Sequence, residues 1–119
     1  MKFGTALALT LLVALAAAGG AAAAEKPRYD VPKGFERCAQ ATAWNGFFKW
    51  ASVDNTSCRY AADFMRAYAR AVPDDGTMPR HVRGFDCSVH SWRNEDGDVY
   101  ASRHTCTRHE ATVRFYGEV

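Results

Sequence analysis

Four cysteines have the clearest chemistry of any side chains in this sequence. They are separated by 20, 29 and 19 residues, and no two of them form the C-x-x-C pair that is typical of a zinc site. An even number of cysteines in a small secreted chain is typical of a disulfide framework. The spacing therefore predicts two disulfide bonds and no metal ion, with the sulfurs supplied by Cys38, Cys58, Cys87 and Cys106.

Histidines and serines offer two other kinds of chemistry, metal binding and hydrolysis. Ser88, His90 and Asp86 alternate onto one face of a predicted strand, but an open sheet face supplies neither a cleft nor an oxyanion hole. His90 and His104 point to opposite faces, so they cannot share a metal ion. We predict no catalytic residues, no metal site and no cofactor. His104 falls on the inner face, which indicates a sheet-edge position or a one-residue error in register.

The chain of 119 residues is long enough for one domain, and its first 24 residues have the features of a signal peptide. Lys2 supplies the positive charge, residues 5–18 form an apolar run too short for a good membrane span, and residues 22–24 are small. Cleavage removes Lys2 from 15 basic residues and leaves 14 against 13 acidic ones, a net charge of +1. We expect a secreted or extracytoplasmic protein with no stable membrane insertion after cleavage and no nucleic-acid partner.

Residues 25–37 contain prolines, a glycine and charges, and they predict an extended, poorly ordered leader. A single domain is then expected over residues 38–119. All five leucines precede residue 25 and isoleucine is absent. Aromatic side chains and disulfides must therefore stabilise the domain.

The first half of this domain predicts a strand followed by a helix. Residues 43–53 are aromatic and β-branched, which predicts a strand with a possible bulge at Gly46. Residues 54–57 offer several helix N-caps, and apolar residues then recur every three or four positions. This pattern predicts an amphipathic helix over residues 57–72.

The second half predicts a three-stranded meander. Asp96-Gly97 is a strong hairpin signal, and a two-residue loop there fixes which residues face each other across the strands. A second tight turn at residues 108–109 places Ala111 beside Cys106 and Phe115 beside Ser102. The fold class is α+β, with one helix packed on an antiparallel sheet in the order strand, helix, meander. The predicted partners of the first hairpin are Trp92 with Ala101, Val89 with His104, and Cys87 with Cys106.

The same hairpin suggests how the cysteines pair. Directly opposed residues of an antiparallel pair lie close enough for a disulfide, which favours Cys87 with Cys106. Elimination then pairs Cys38 with Cys58. The alternative is that Cys58, at the start of a helix over the same face, bonds to Cys87 or Cys106 and leaves Cys38 for the other.

Trp92 is the candidate for partner contact. The register places it on the sheet face away from the helix, with Val99 and Ala101 beside it. An open face that bears an indole is typical of a contact with a protein or a glycan. The alternative is that the region of Phe35 or the loop at residues 73–81 covers it.

Three short motifs resemble a known family. They are C-R-Y-A-A at Cys58, V-R-G-F-D-C ending at Cys87, and T-C-T-R followed by V-R-F at residues 113–115. Over residues 44–116 the chain resembles small secreted domains of uncharacterised function that are common in actinobacteria. The resemblance implies the same order of elements and an extracytoplasmic location, and it implies no catalytic residues. Cys38 departs from the three-cysteine pattern of that family.

The chain is also similar to the subtilisin-inhibitor-like proteins of Streptomyces. These are secreted α+β domains with two disulfides, a helix after the second cysteine, and a chain end that reads C followed by V-x-F. The cysteine spacing differs here, and no reactive loop is evident after Cys87.

Together these features predict a small binding domain, secreted or held at the cell envelope. Its partner is expected to be a protein or an envelope component. A secreted protease inhibitor is the alternative, and a small extracellular hydrolase is the third hypothesis.

Overall fold

Residues 29–119, described by a computed structural model, form one antiparallel sheet of six strands and one helix. The predicted signal peptide lies outside the described residues. The α+β class is confirmed, but the sheet is not a simple meander, because its strand order is β1-β2-β6-β5-β4-β3. In chain order the elements are β1 (Glu36–Cys38), β2 (Phe48–Asp54), α1 (Cys58–Arg70), β3 (His81–Val82), β4 (Phe85–Arg93), β5 (Val99–Arg108) and β6 (Ala111–Glu118).

Helix α1 confirms the helical pattern of the sequence. Ser57 caps it, since its hydroxyl oxygen accepts a hydrogen bond of 3.0 Å from the Tyr60 N–H. The buried stripe includes Phe64 and Tyr68. The Tyr68 ring lies 5.5 Å from the ring of Phe48 and 5.0 Å from that of Phe115, so the helix contributes to the aromatic core. In the described part of the chain, no helix is long and apolar enough to cross a membrane.

The predicted first strand begins five residues too early (43 against 48), and its bulge is misplaced. Trp44, Asn45 and Gly46 have φ of 56°, 55° and 84°, so they form a turn, which the Phe47 N–H closes by donating to the Trp44 carbonyl. Turn chemistry at Asn45-Gly46 thus outweighs the strand propensity of the aromatic side chains. The bulge falls at Trp50, whose φ is 52°.

The β4–β5 register is confirmed at all three predicted pairs, although the predicted two-residue loop is wrong. The Asn94 N–H donates to the Asp98 carbonyl at 2.9 Å, which leaves a three-residue loop. The Asn94 side chain accepts from the N–H groups of Asp96 and Asp98 and so favours this longer turn. One extra residue in β5, between Val99 and Ala101, restores the predicted pairing.

The β5–β6 register differs from the prediction by two residues. The turn is His109-Glu110, and Cys106 pairs with Val113 rather than with Ala111. His109 has a φ of 54°, a conformation that tight hairpin turns require. Because side chains alternate with period two, a shift of two leaves every side chain on its predicted face.

The described part of the predicted leader contacts the sheet and includes part of strand β1. Strand β1 begins at Glu36, two residues before the predicted domain boundary. Upstream of it, the Asp30 carboxylate accepts hydrogen bonds from the Tyr116 hydroxyl at 3.1 Å and from Arg114 at 2.9 Å. These hydrogen bonds join the segment before β1 to strand β6.

The predicted disulfide pairing is confirmed. Cys38 bonds to Cys58 with a Cα–Cα distance of 5.2 Å, and Cys87 bonds to Cys106 at 4.0 Å. The first bond ties the end of β1 to the first residue of α1, and the second joins β4 to β5. Two disulfides indicate an oxidising, extracytoplasmic environment.

We expect the two disulfides to contribute about equally to stability. They close loops of 20 and 19 residues, for which the chain-entropy model gives about 3 kcal/mol each. The pair variants Cys38→Ala/Cys58→Ala and Cys87→Ala/Cys106→Ala should each lower the free energy of unfolding in urea by that amount. A loss confined to one pair would show that strain or residual structure outweighs loop closure.

Candidate binding site

The sheet has two faces, and both are buried near its centre. We call the face that bears Cys106, Val113 and Phe115 the inner face, and the face that bears Trp92 and Tyr116 the outer face. Fully buried side chains lie on both, since Phe115 is inaccessible to solvent and Tyr116 is 1% exposed.

The outer face is not open where the sequence analysis expected it to be. Trp92 is 3% exposed and Ala101 is 2% exposed, so an accessible contact surface formed by these two residues is wrong. The indole packs against the His90 ring at 4.6 Å, the Tyr116 ring at 6.4 Å and the Arg103 guanidinium at 5.6 Å. Val99 is the one predicted contact residue that is exposed, at 44%.

Tyr29 extends this outer aromatic cluster. Its ring lies 4.2 Å from that of Trp50 and 5.2 Å from that of Tyr116. Its hydroxyl donates to the Glu118 carboxylate, and burial together with this bond raises the pKa of Tyr29. The segment before β1 therefore packs on the rings of Trp50 and Tyr116 on the outer face.

His104 occupies the centre of the inner face rather than a sheet edge. It is inaccessible to solvent and stacks on Phe115 with 5.0 Å between ring centroids. Its Nδ1 lies 2.7 Å from the Tyr68 hydroxyl, and its Nε2 lies 2.7 Å from the Ser102 hydroxyl. Burial lowers the pKa of His104 to about 4, so the imidazole is neutral at neutral pH.

Beside this network the inner face opens into a pocket of about 230 Å³. Its walls come from the inner face of β4 and β5, from Phe47, and from the loop between α1 and β3. Val89, at 38% exposed, and Val99 lie at this opening, and Ser102 is 4% exposed in its lining. Apolar concave surface with a few polar groups is typical of a binding site.

The free edge of β4 runs along the same opening. Strand β3 pairs with β4 only at Phe85 and Asp86, and the Cys87 N–H donates sideways to the Arg80 carbonyl at 2.8 Å. Since the backbone groups of an antiparallel strand alternate in direction, Val89 and Ser91 also point theirs away from β5. Among residues 29–119 no strand pairs with that edge beyond Asp86.

A second pocket, of about 480 Å³, continues the first along this edge. It lies between residues 77–80 and the start of β4, and it shares Met78 and Val89 with the first pocket. The two form one groove beside the backbone groups of Val89 and Ser91.

Asp86, one of the polar residues considered for catalysis, bonds to a histidine outside that set. Asp86 bonds to Nδ1 of His81 at 2.8 Å on the exposed surface. Nowhere in residues 29–119 do three His, Cys, Asp or Glu side chains cluster so that they could hold a metal ion.

The groove was not predicted from the sequence, although one of its walls could have been derived from the predicted register. The confirmed β4–β5 register already places Val89, Ser91 and Ser102 on the inner face. The position of the loop at residues 73–80 carries no local signal, and this loop supplies the opposite wall.

Comparison of the chain with protein-family models, with curated proteins and with solved structures finds no match. The two family resemblances therefore stay predictions.

The protonation of His104 makes stability depend on pH. Its pKa is about 4 in the folded protein against an ordinary value of 6.5, so the unfolded chain takes up the proton first as pH falls. Stability is fully present above about pH 6.5 and decreases by about 3 kcal/mol towards pH 4.

Urea unfolding between pH 7 and pH 4 tests this expectation. His104→Gln should lower stability at pH 7 and flatten the slope, whereas His109→Asn in the exposed turn should retain it. An unchanged slope in His104→Gln would assign the pH dependence to other groups.

Trp92→Ala should destabilise the protein by about 3–5 kcal/mol, because it leaves a cavity on the outer face. Trp92→Phe should cost much less, since the buried Trp92 Nε1 makes no hydrogen bond in the described part of the chain. Val99→Ala is the exposed control, with a loss of at most about 0.5 kcal/mol. Thermal unfolding of the three variants separates a buried indole from an exposed one.

Proposed function

We propose that this protein is a secreted or envelope-held binding domain that binds an extended segment of a partner protein. The segment adds a strand to the free edge of β4. The observation that carries this proposal is the outward direction of the Val89 and Ser91 backbone groups beside an apolar groove.

A free edge of this kind is the usual template for strand addition. Natural sheets protect their edges with proline, lysine or bulges, and residues 88–92 contain no proline or lysine. The register from Asp86 to Trp92 is regular, so the edge is straight enough to pair with an extended chain. Backbone hydrogen bonds then supply affinity, and side chains that enter the groove supply specificity.

The location of α1 supports the proposal. Its rings contact Phe48, Phe85 and Phe115, and its first residue is bonded to β1. The helix thus contacts β2, β6 and the first residue of β4, and within residues 29–119 the distal half of β4 and β5 is left to a loop. The groove results from this unequal cover.

The charge balance supports a protein partner over a polyanion. The chain has 15 basic and 13 acidic residues, and the groove is lined mainly by apolar and neutral side chains. An edge strand needs no charge complementarity, because main-chain groups make the contact. The two disulfides fit a site of action outside the cytoplasm.

Amide hydrogen exchange tests whether the edge is open. In the free protein the N–H groups of Val89 and Ser91 should exchange fast, whereas those of Ser88 and Trp92 should be protected by the β4–β5 ladder. A peptide selected from a displayed library of extended sequences should protect Val89 and Ser91. Protection of these two amides in the isolated monomer would overturn the proposal.

Two variants separate strand addition from side-chain contact. Val89→Pro removes the outward N–H but no ladder hydrogen bond, so the protein should fold and lose the selected peptide. Val89→Thr keeps the N–H and a similar volume, so it should retain binding. Equal binding by the two variants would overturn the proposal.

Two further measurements test competing functions. Stoichiometric inhibition of a subtilisin-type protease would support the inhibitor hypothesis instead. Concentration-dependent dimerisation that Val89→Pro abolishes would make a second copy of this chain the occupant of the edge.

A further inference from the structure

The burial of Tyr68 determines which group donates in its hydrogen bond to His104, below the pocket. The Tyr68 hydroxyl is inaccessible to solvent, and its one hydrogen-bond partner among residues 29–119 is His104 Nδ1, at 2.7 Å. A buried hydroxyl hydrogen without an acceptor is costly. Tyr68 therefore donates to Nδ1.

The position of the histidine proton follows. A neutral imidazole carries one N–H, and Nδ1 is already an acceptor. Nε2 must then carry the hydrogen and donate it to the Ser102 oxygen, 2.7 Å away. This assignment satisfies all the polar groups of Tyr68 and His104.

Ser102 is left with an unused donor. Its oxygen accepts from His104, and within the described residues its own hydroxyl hydrogen has no acceptor. The Ser102 side chain is only 4% exposed, and it lies in the pocket lining. Such a donor in an apolar pocket favours a ligand that brings an oxygen to it.

The size and composition of the pocket restrict that ligand. A volume of about 230 Å³ is below that of most small-molecule sites, so it takes one ring or one side chain. Phe47, Met78 and Val99 disfavour a charged group. Ser91 faces Ser102 directly across the strands, and its exposed hydroxyl can accept a hydrogen in turn.

We infer that the pocket binds a tyrosine side chain of the partner segment, with the phenol oxygen accepting a hydrogen bond from Ser102. The ring fills the apolar part, and the phenol hydrogen is directed to Ser91. This inference rests on the proposed function, because it names the side chain that the added strand places in the groove.

The histidine tautomer is the first test and needs no variant. Nitrogen-15 NMR of His104 in the wild-type protein at pH 7 should show a protonated Nε2 and an unprotonated Nδ1. A protonated Nδ1 would mean that Ser102 already donates to Nε2, and the inference would be overturned.

The second test uses p-cresol and toluene, the side-chain analogues of tyrosine and phenylalanine, in NMR titrations. Both should shift the amide signals of Val89 and Ser102. In Ser102→Ala the dissociation constant of p-cresol should rise roughly three- to tenfold, as loss of one hydrogen bond predicts, while that of toluene stays within about twofold. Thr105→Ala, on the outer face of β5 and away from both pockets, is the matched control and should change neither.

Equal weakening of both probes in Ser102→Ala, or no binding of p-cresol to the wild type, would overturn the inference. These probes do not pair with β4, so the result is independent of strand addition. Peptides that bind the edge without preferring tyrosine would overturn this inference alone, and Ser102-dependent binding of p-cresol without any edge-binding peptide would overturn the proposed function alone.

Discussion

The burial of a neutral histidine is the constraint on which this domain depends. His104 joins the helix through Tyr68 and its own strand through Ser102, and its ring stacks on Phe115 of the neighbouring strand. A charged imidazole at this position would lose its hydration without gaining a counter-ion, since only desolvation shifts its pKa. The polar groups of Tyr68 and His104 are therefore satisfied only when the helix and β5 are both in place, and Phe115 of β6 packs on the imidazole. In a chain with no leucine or isoleucine after residue 24, such a network gives the aromatic core directional contacts that aliphatic packing would not provide.

The second feature is that a small sheet buries both of its faces. The inner face bears the aromatic core, which includes Tyr68 of α1, and the outer face has Trp92 and Tyr116 with Tyr29 against them. Because each face is packed by only one thin layer, few apolar side chains are available, and the two faces are not covered equally along the strands. Within residues 29–119, the candidate site on the inner face of β4 and β5 is lined by Phe47 and by the loop between α1 and β3. The groove thus results from the small number of side chains that this domain has for covering its sheet.

The two disulfides act at opposite sides of the sheet. Cys38 to Cys58 holds a three-residue edge strand to the beginning of the helix. Cys87 to Cys106 joins β4 to β5 where the two-residue strand β3 gives little support from the other side. The first bond restrains a short edge strand, and the second restrains β4 next to its free edge. A rigid edge loses less conformational entropy when a strand is added to it.

The sequence by itself determined the features that arise within short stretches of chain. Helical periodicity and a Ser57 cap defined α1, and the turn signal at Asp96-Gly97 led to the β4–β5 register and the disulfide pairs, even though the loop itself is longer. Because side chains alternate between the two faces, the predicted faces of the β6 residues are correct although the predicted register is wrong by two residues. The tertiary structure alone decided that β2 pairs with β6, that Tyr29 packs on the outer face, and that His104 is central. These contacts join residues far apart in the chain, and their energies depend on which surfaces are already covered, which no local pattern encodes.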